Sequence, residues 1–106
     1  MTYSEINEII RNLKSQLEEL EGMIAEPNGI FSKSQVTRMF KNHTSRARAN
    51  AIIPLYKAVK DVEAKVKDLE KMESEFPSNS HITELKQKFA YCGQHIISII
   101  NMIEEW

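Results

Sequence analysis

Few side chains in this sequence have the type and spacing that chemistry requires, and most of them lie between Lys33 and Lys60. That stretch holds Lys33, Arg38, Lys41, Arg46, Arg48, Lys57 and Lys60, with His43 among them, and no carboxylate occurs between Glu26 and Asp61. A run of cations without a carboxylate cannot neutralise itself locally, so it sets up a positive potential that an anionic group elsewhere must answer. Arg38, Lys41, His43, Arg46 and Arg48 are the candidate partner-binding residues. The answering group is either an acidic surface on a partner protein or the acidic helices of this same chain.

Outside the basic stretch little resembles a reaction centre. Cys92 and His95 are three residues apart on one helical face, half of a metal site, but no second pair completes it. A small buried thiol beside a bundle histidine is the expected arrangement. His81 falls at a helix start and is expected to be exposed or capping. Asn42-His43-Thr44 matches a glycosylation sequon, taken as accidental in a chain without a visible secretion signal. There is no Gly-rich phosphate loop, no nucleophile elbow and no HExxH motif. The expectation is a protein that is not an enzyme, with no cofactor and no metal.

The chain of 106 residues has a formal net charge of −1 that hides a segregation. Residues 1–26 carry −4, residues 27–60 carry +7 and residues 61–106 carry −4 again. Three glycines, three prolines, a 42% hydrophobic fraction and a mean hydropathy of −0.42 favour a single globular, all-helical domain. The most apolar tract, Ile96 to Ile103, is interrupted by Ser98 and Asn101 and is too short to span a bilayer. With one cysteine and no leader pattern, the cytoplasm is the expected compartment and no membrane partner is expected.

Heptad seams supply the elements that must position the basic stretch. Ile6, Ile10, Leu13, Leu17, Leu20 and Ile24 recur at spacings of four and three, with Ile9 and Met23 widening the stripe and Ser4 as the expected cap. Pro27 and Asn28-Gly29 should end that helix at Glu26, and the short loop predicts an antiparallel return. Ser32 and Gln35 match a capping box for a short helix carrying Val36, Met39 and Phe40. A break is expected near His43, then a long helix from Thr44 or Ser45 to about Glu75, kinked or restarted at Pro54. Its seam is Ile52, Leu55, Val59, Val62, Val66, Leu69 and Phe76, with Met72 close by. The last helix starts near Ser80 and runs Ile82, Leu85, Phe89, Cys92, Ile96, Ile99, Ile103 and Trp106, flanked by Ile97 and Ile100. So wide an apolar arc makes Ile96, Ile97, Ile100 and Ile103 either core or half of a homodimer face. The predicted architecture is an all-α, up-and-down antiparallel bundle of three long helices plus one short one, in the manner of a four-helix bundle.

Two local resemblances arise in the basic stretch. His43-Thr44-Ser45-Arg46-Ala47-Arg48-Ala49-Asn50-Ala51-Ile52 resembles the histidine-phosphotransfer motif, which implies a four-helix bundle with His43 as phospho-acceptor and a nearby cation stabilising the transferred charge. Arg46 stands where that family has lysine, and Ala47 where it has glycine. The segment Gly29 to Phe40 resembles the turn and recognition helix of bacterial repressors, which implies DNA phosphate contacts by the cations that follow. Phe31 is an extra residue in that turn. Against both, a heptad-patterned bundle of this size without a catalytic constellation most often presents a surface to another protein. The expected function is a small regulator, adaptor or inhibitor that docks an acidic partner through the basic stretch or the Ile-rich last helix.

Overall fold

The computed structural model describes residues 2–40 and 44–106, all of it helix and connecting loop. In order the helices are α1 (Tyr3–Ile24), α2 (Lys33–Phe40), α3 (Ser45–Ala51), α4 (Ile53–Glu75) and α5 (Ser80–Glu104). Three are long and two are short. The body is elongated, 52 × 21 × 16 Å.

Local signals explain where each helix begins. Thr2, rather than Ser4, caps α1: its hydroxyl accepts from the Glu5 backbone N–H at 3.2 Å. Both residues carry the oxygen a cap needs, and Thr2 is the one with the extended backbone (φ −82°, ψ 162°) that aims it. Ser32 accepts from the Gln35 N–H at 3.2 Å, as the capping box predicts, and donates its own proton to the Pro27 carbonyl. Thr44 caps α3 by accepting from Ala47 N–H. The helix expected from Thr44 to Glu75 is divided at Ile52: α3 ends there and α4 starts afresh with Pro54 in its first turn. A proline in that position gives up an N–H that would have had no partner anyway, so the restart costs little.

The core lies along α5. Ile82, Leu85, Phe89, Cys92, Ile96, Ile99, Ile100 and Ile103 are buried on it, facing Leu55, Val59, Val62, Leu69 and Met72 of α4 and Ile6, Ile10, Leu17 and Ile24 of α1. Along the α4–α5 seam Tyr56 bonds Glu104, Val62 lies against Gly93, and Glu73 accepts from Lys86 Nζ at 2.7 Å and Thr83 Oγ1 at 2.9 Å. Residue numbers therefore rise on one helix as they fall on the other. A Cβ built at Gly93 would come within 3.1 Å of Val62 Cγ1, so the glycine sets how closely these helices approach. On the α1 side the order is the same on both helices. Lys14 lies near His81, and Glu21 shares a surface cleft with Lys88.

This register leaves α1 displaced along α5. The first turns of α1, Tyr3 and Ile6, sit beside the 76–80 connection below the start of α5. The upper half of α5 is left for α2 to cover, with Val36 buried against it. The short helices occupy the end that α1 does not reach.

Hydrogen bonds from Lys86 and Thr83 hold the Glu73 carboxyl below the usual carboxylate range. A lowered folded value means that stability is fully present above the ordinary glutamate range and is lost as pH falls through the folded value. Thermal melts of Glu73→Gln should lie below wild type at pH 7 and converge with it in acid. A gap unchanged by acid would show that the carboxylate charge contributes nothing.

Candidate partner-binding face

The basic stretch falls on α2, α3 and the start of α4, at the end of the bundle that α1 leaves open. Lys41 and His43 lie outside the described residues. Arg38, in the last turn of α2, and Arg46, in the first turn of α3, are exposed. Arg48 is half-buried, and its guanidinium approaches Ser45 Oγ at 3.5 Å. It lines an open cleft of about 340 Å³ with Ile52, Ile103, Glu104 and Trp106. Arg48 thus faces a cleft shared with the end of α5, and of the described candidates Arg38 and Arg46 are the exposed ones.

Among the described residues, the ion pairs within 4.0 Å join Lys65 to Asp61, Lys86 to Glu73 and Lys88 to Glu84. None uses a cation from residues 33–60. Among the described residues, no carboxylate of the acidic helices is in an ion pair with the basic segment. Glu26, the last carboxylate before the run, engages backbone instead: it accepts from Lys33 N–H at 2.6 Å and from Ser34 through its N–H and hydroxyl. These bonds, the Ser34 hydroxyl first, hold its carboxyl below the usual range. Glu26 acts as an anionic cap on a helix whose first turn has no acidic residue of its own. Replacing it by Gln should lower helicity and melting temperature slightly at neutral pH and not in strong acid, as circular dichroism would read.

The Ile-rich face of α5 divides. Ile96, Ile100 and Ile103 are buried in the core, and Ile97 is 42% exposed. Trp106, expected in the seam, is 38% exposed, and Met23, expected to widen the α1 stripe, is 40% exposed. Cys92 is buried, and that burial pushes its thiol up, away from reactive thiolate. His95 is half-buried, with Nε2 inside and without a hydrogen-bond partner among the described residues. No group of three or more His, Cys, Asp or Glu side chains among the described residues is placed to hold a metal ion. Among those residues, too, no helix is long and apolar enough to cross a membrane.

Sequence reasoning missed Glu26, because a cap seven residues upstream of its helix depends on the loop fold. The turn signal at Asn28-Gly29 was the available clue. The chain matches no family model, no curated protein and no solved structure.

Proposed function

We propose that this chain is an up-and-down antiparallel helical bundle that works as a non-enzymatic docking module, presenting the cationic face of α2 and α3 to an acidic surface on a partner protein. The observation that carries this reading is that Arg38 and Arg46 are exposed and have no carboxylate within ion-pair distance among the described residues, although the chain is acidic elsewhere. Exposed cations on short helices, backed by a rigid core, steer and orient an acidic partner without having to release an internal pair first. Favouring a protein partner over DNA is the Glu26 carboxylate at the N-terminus of α2, where phosphate would otherwise be held by the backbone N–H groups.

Arg38→Glu/Arg46→Glu is the test. Partner capture from source cells should be lost in the double variant with helicity and melting unchanged, since both side chains are exposed. Equal capture by both proteins would remove the basic face from consideration. Two other outcomes would replace the proposal. Binding to duplex DNA that falls steeply with salt would make it a nucleic-acid module. Acid-labile phosphate that disappears in His43→Gln would make it a phosphotransfer domain.

A further inference from the structure

A second face of the bundle lacks a partner within this chain. Between α4 and α5 runs a shallow groove of about 370 Å³ floored by Val59, Val66, Ala90, Gly93 and Ile97. Helix α1 lies along the other flank of α4, beside Lys57, Asp61 and Lys65, so among the described residues nothing covers the groove. Its α5 rim, Ala90, Gly93, Gln94 and Ile97, is uncharged. On the α4 side Glu63, Lys67 and Glu70 line it, and with Lys60 just before them they make a stripe of four exposed charges at spacings of three, four and three. None of the four is in an ion pair among the described residues. The Lys65–Asp61 pair on the same helix belongs to the opposite flank.

Among two-fold arrangements the stripe is complementary to itself in one orientation only. Laid antiparallel on a second α4 about the level of Lys65, Lys60 meets Glu70 of the partner subunit and Glu63 meets Lys67 of the partner subunit. The two-fold repeats both pairs. Laid parallel in register, each charge meets its own kind. At that level α5 presents small residues: Lys65 lies over the Phe89 ring and Val62 beside Gly93, which places Ala90 and Gly93 next to the axis. A helix can come close there, with Val66 and Ile97 supplying apolar contact.

We propose that a second copy of this chain occupies the groove, its α4 antiparallel to α4 about a two-fold axis level with Lys65. Such a contact is isologous, the commonest way for a small domain to form a closed dimer. It does not depend on the cationic face of α2 and α3, which lies at the end of the bundle, and either proposal can fail without the other.

Sedimentation equilibrium of the intact chain tests it, up to about 1 mM. The wild-type mass should climb from 12.3 kDa toward twice that value as concentration rises. Lys67→Glu sets like charges opposite each other at two symmetric places and should weaken the dimer about tenfold. Glu63→Lys/Lys67→Glu exchanges the two charges, which restores opposite signs across the same antiparallel pair, and should bring the wild-type constant back. Circular dichroism should show all three equally helical, since both positions are exposed. A wild type that stays monomeric overturns the proposal and leaves the groove to a helix of another protein. A dimer indifferent to Lys67→Glu, or one that the exchange does not rescue, overturns the stated geometry.

Discussion

Ile96→Ala is expected to lower stability by about 2–5 kcal/mol, while Ile97→Ala, one residue further along α5, stays within about 0.5 kcal/mol. The two side chains are the same size on the same helix, so propensity cancels between them and burial alone separates the outcomes. Ile96 has 0% of its surface exposed and Ile97 has 42%. Removing three carbons from Ile96 forfeits transfer free energy and leaves a void that α4 and α1 can fill only by shifting backbone. At Ile97 the shortened side chain loses contact with solvent and the groove floor only. Globular domains are typically stable by about 5–15 kcal/mol, so Ile96→Ala removes a large fraction of the total. Urea unfolding monitored at 222 nm reads both, and the midpoint should move without a change of slope. Both are read in dilute protein, well below the concentrations at which the second copy is expected to occupy the groove, and equal losses there would mean that Ile97 is buried within the single chain.

That contrast also marks how far the sequence could be read. Spacing of three and four placed Ile96, Ile99 and Ile103 on one seam, and all three are buried. The same spacing put Ile97 and Ile100 together on a second flank, and the structure separates them, with Ile100 at 4% exposure and Ile97 at 42%. Both lie on one side of the seam, Ile100 nearer to it, and how far along that side burial extends depends on where the other helices lie. Pro54 was legible because its ring acts on its own backbone: a restart at that point needs no tertiary information. The Ser32–Gln35 cap was legible for the same reason. The displacement of α1 along α5 was not, since it reflects the whole seam from Ile6 to Ile24 finding its register. It also decides where the basic face sits: a full-length α1 beside α5 would have covered the ground that α2 takes.

Ion pairing of the basic segment was open from the sequence, because net charge by segment says nothing of distance. The structure favours outward cations through a simple constraint. Asp61, Glu73 and Glu84 pair with lysines of their own helix or across the α4–α5 seam, and Glu26 is committed to the backbone of α2. Among the described residues, no carboxylate lies within ion-pair distance of Arg38 or Arg46. Val36 and the Ser32 cap anchor α2, which carries Arg38, whereas α3 buries no residue and is started by the Thr44 cap.

Gly29→Val should destabilise the chain by about 2–3 kcal/mol, and Gly29→Ala somewhat less, although glycine here is neither in a helix nor at positive φ. The cause is contact with backbone. A Cβ at residue 29 would collide with the Met23 carbonyl oxygen and lie 2.7 Å from that of Ala25 and 2.8 Å from the Ala25 nitrogen. Those carbonyls are the unpaired end of α1, and the loop folds back to satisfy them: Gly29 N–H donates to Ala25 at 2.7 Å and Phe31 N–H to Met23 at 2.7 Å. A side chain can rotate away from a clash, but these oxygens are held by the helix. Relief would have to come from opening the turn, which breaks both bonds and withdraws Ser32 and Glu26 from the start of α2. The expected signature is therefore graded. Thermal melting should fall in the order glycine, alanine, valine, and amide exchange should rise in Lys33–Phe40 before it rises in α5. Uniform exchange across all helices would show that the turn is not what holds α2, and that the docking face is kept in place by core contacts such as Val36 alone.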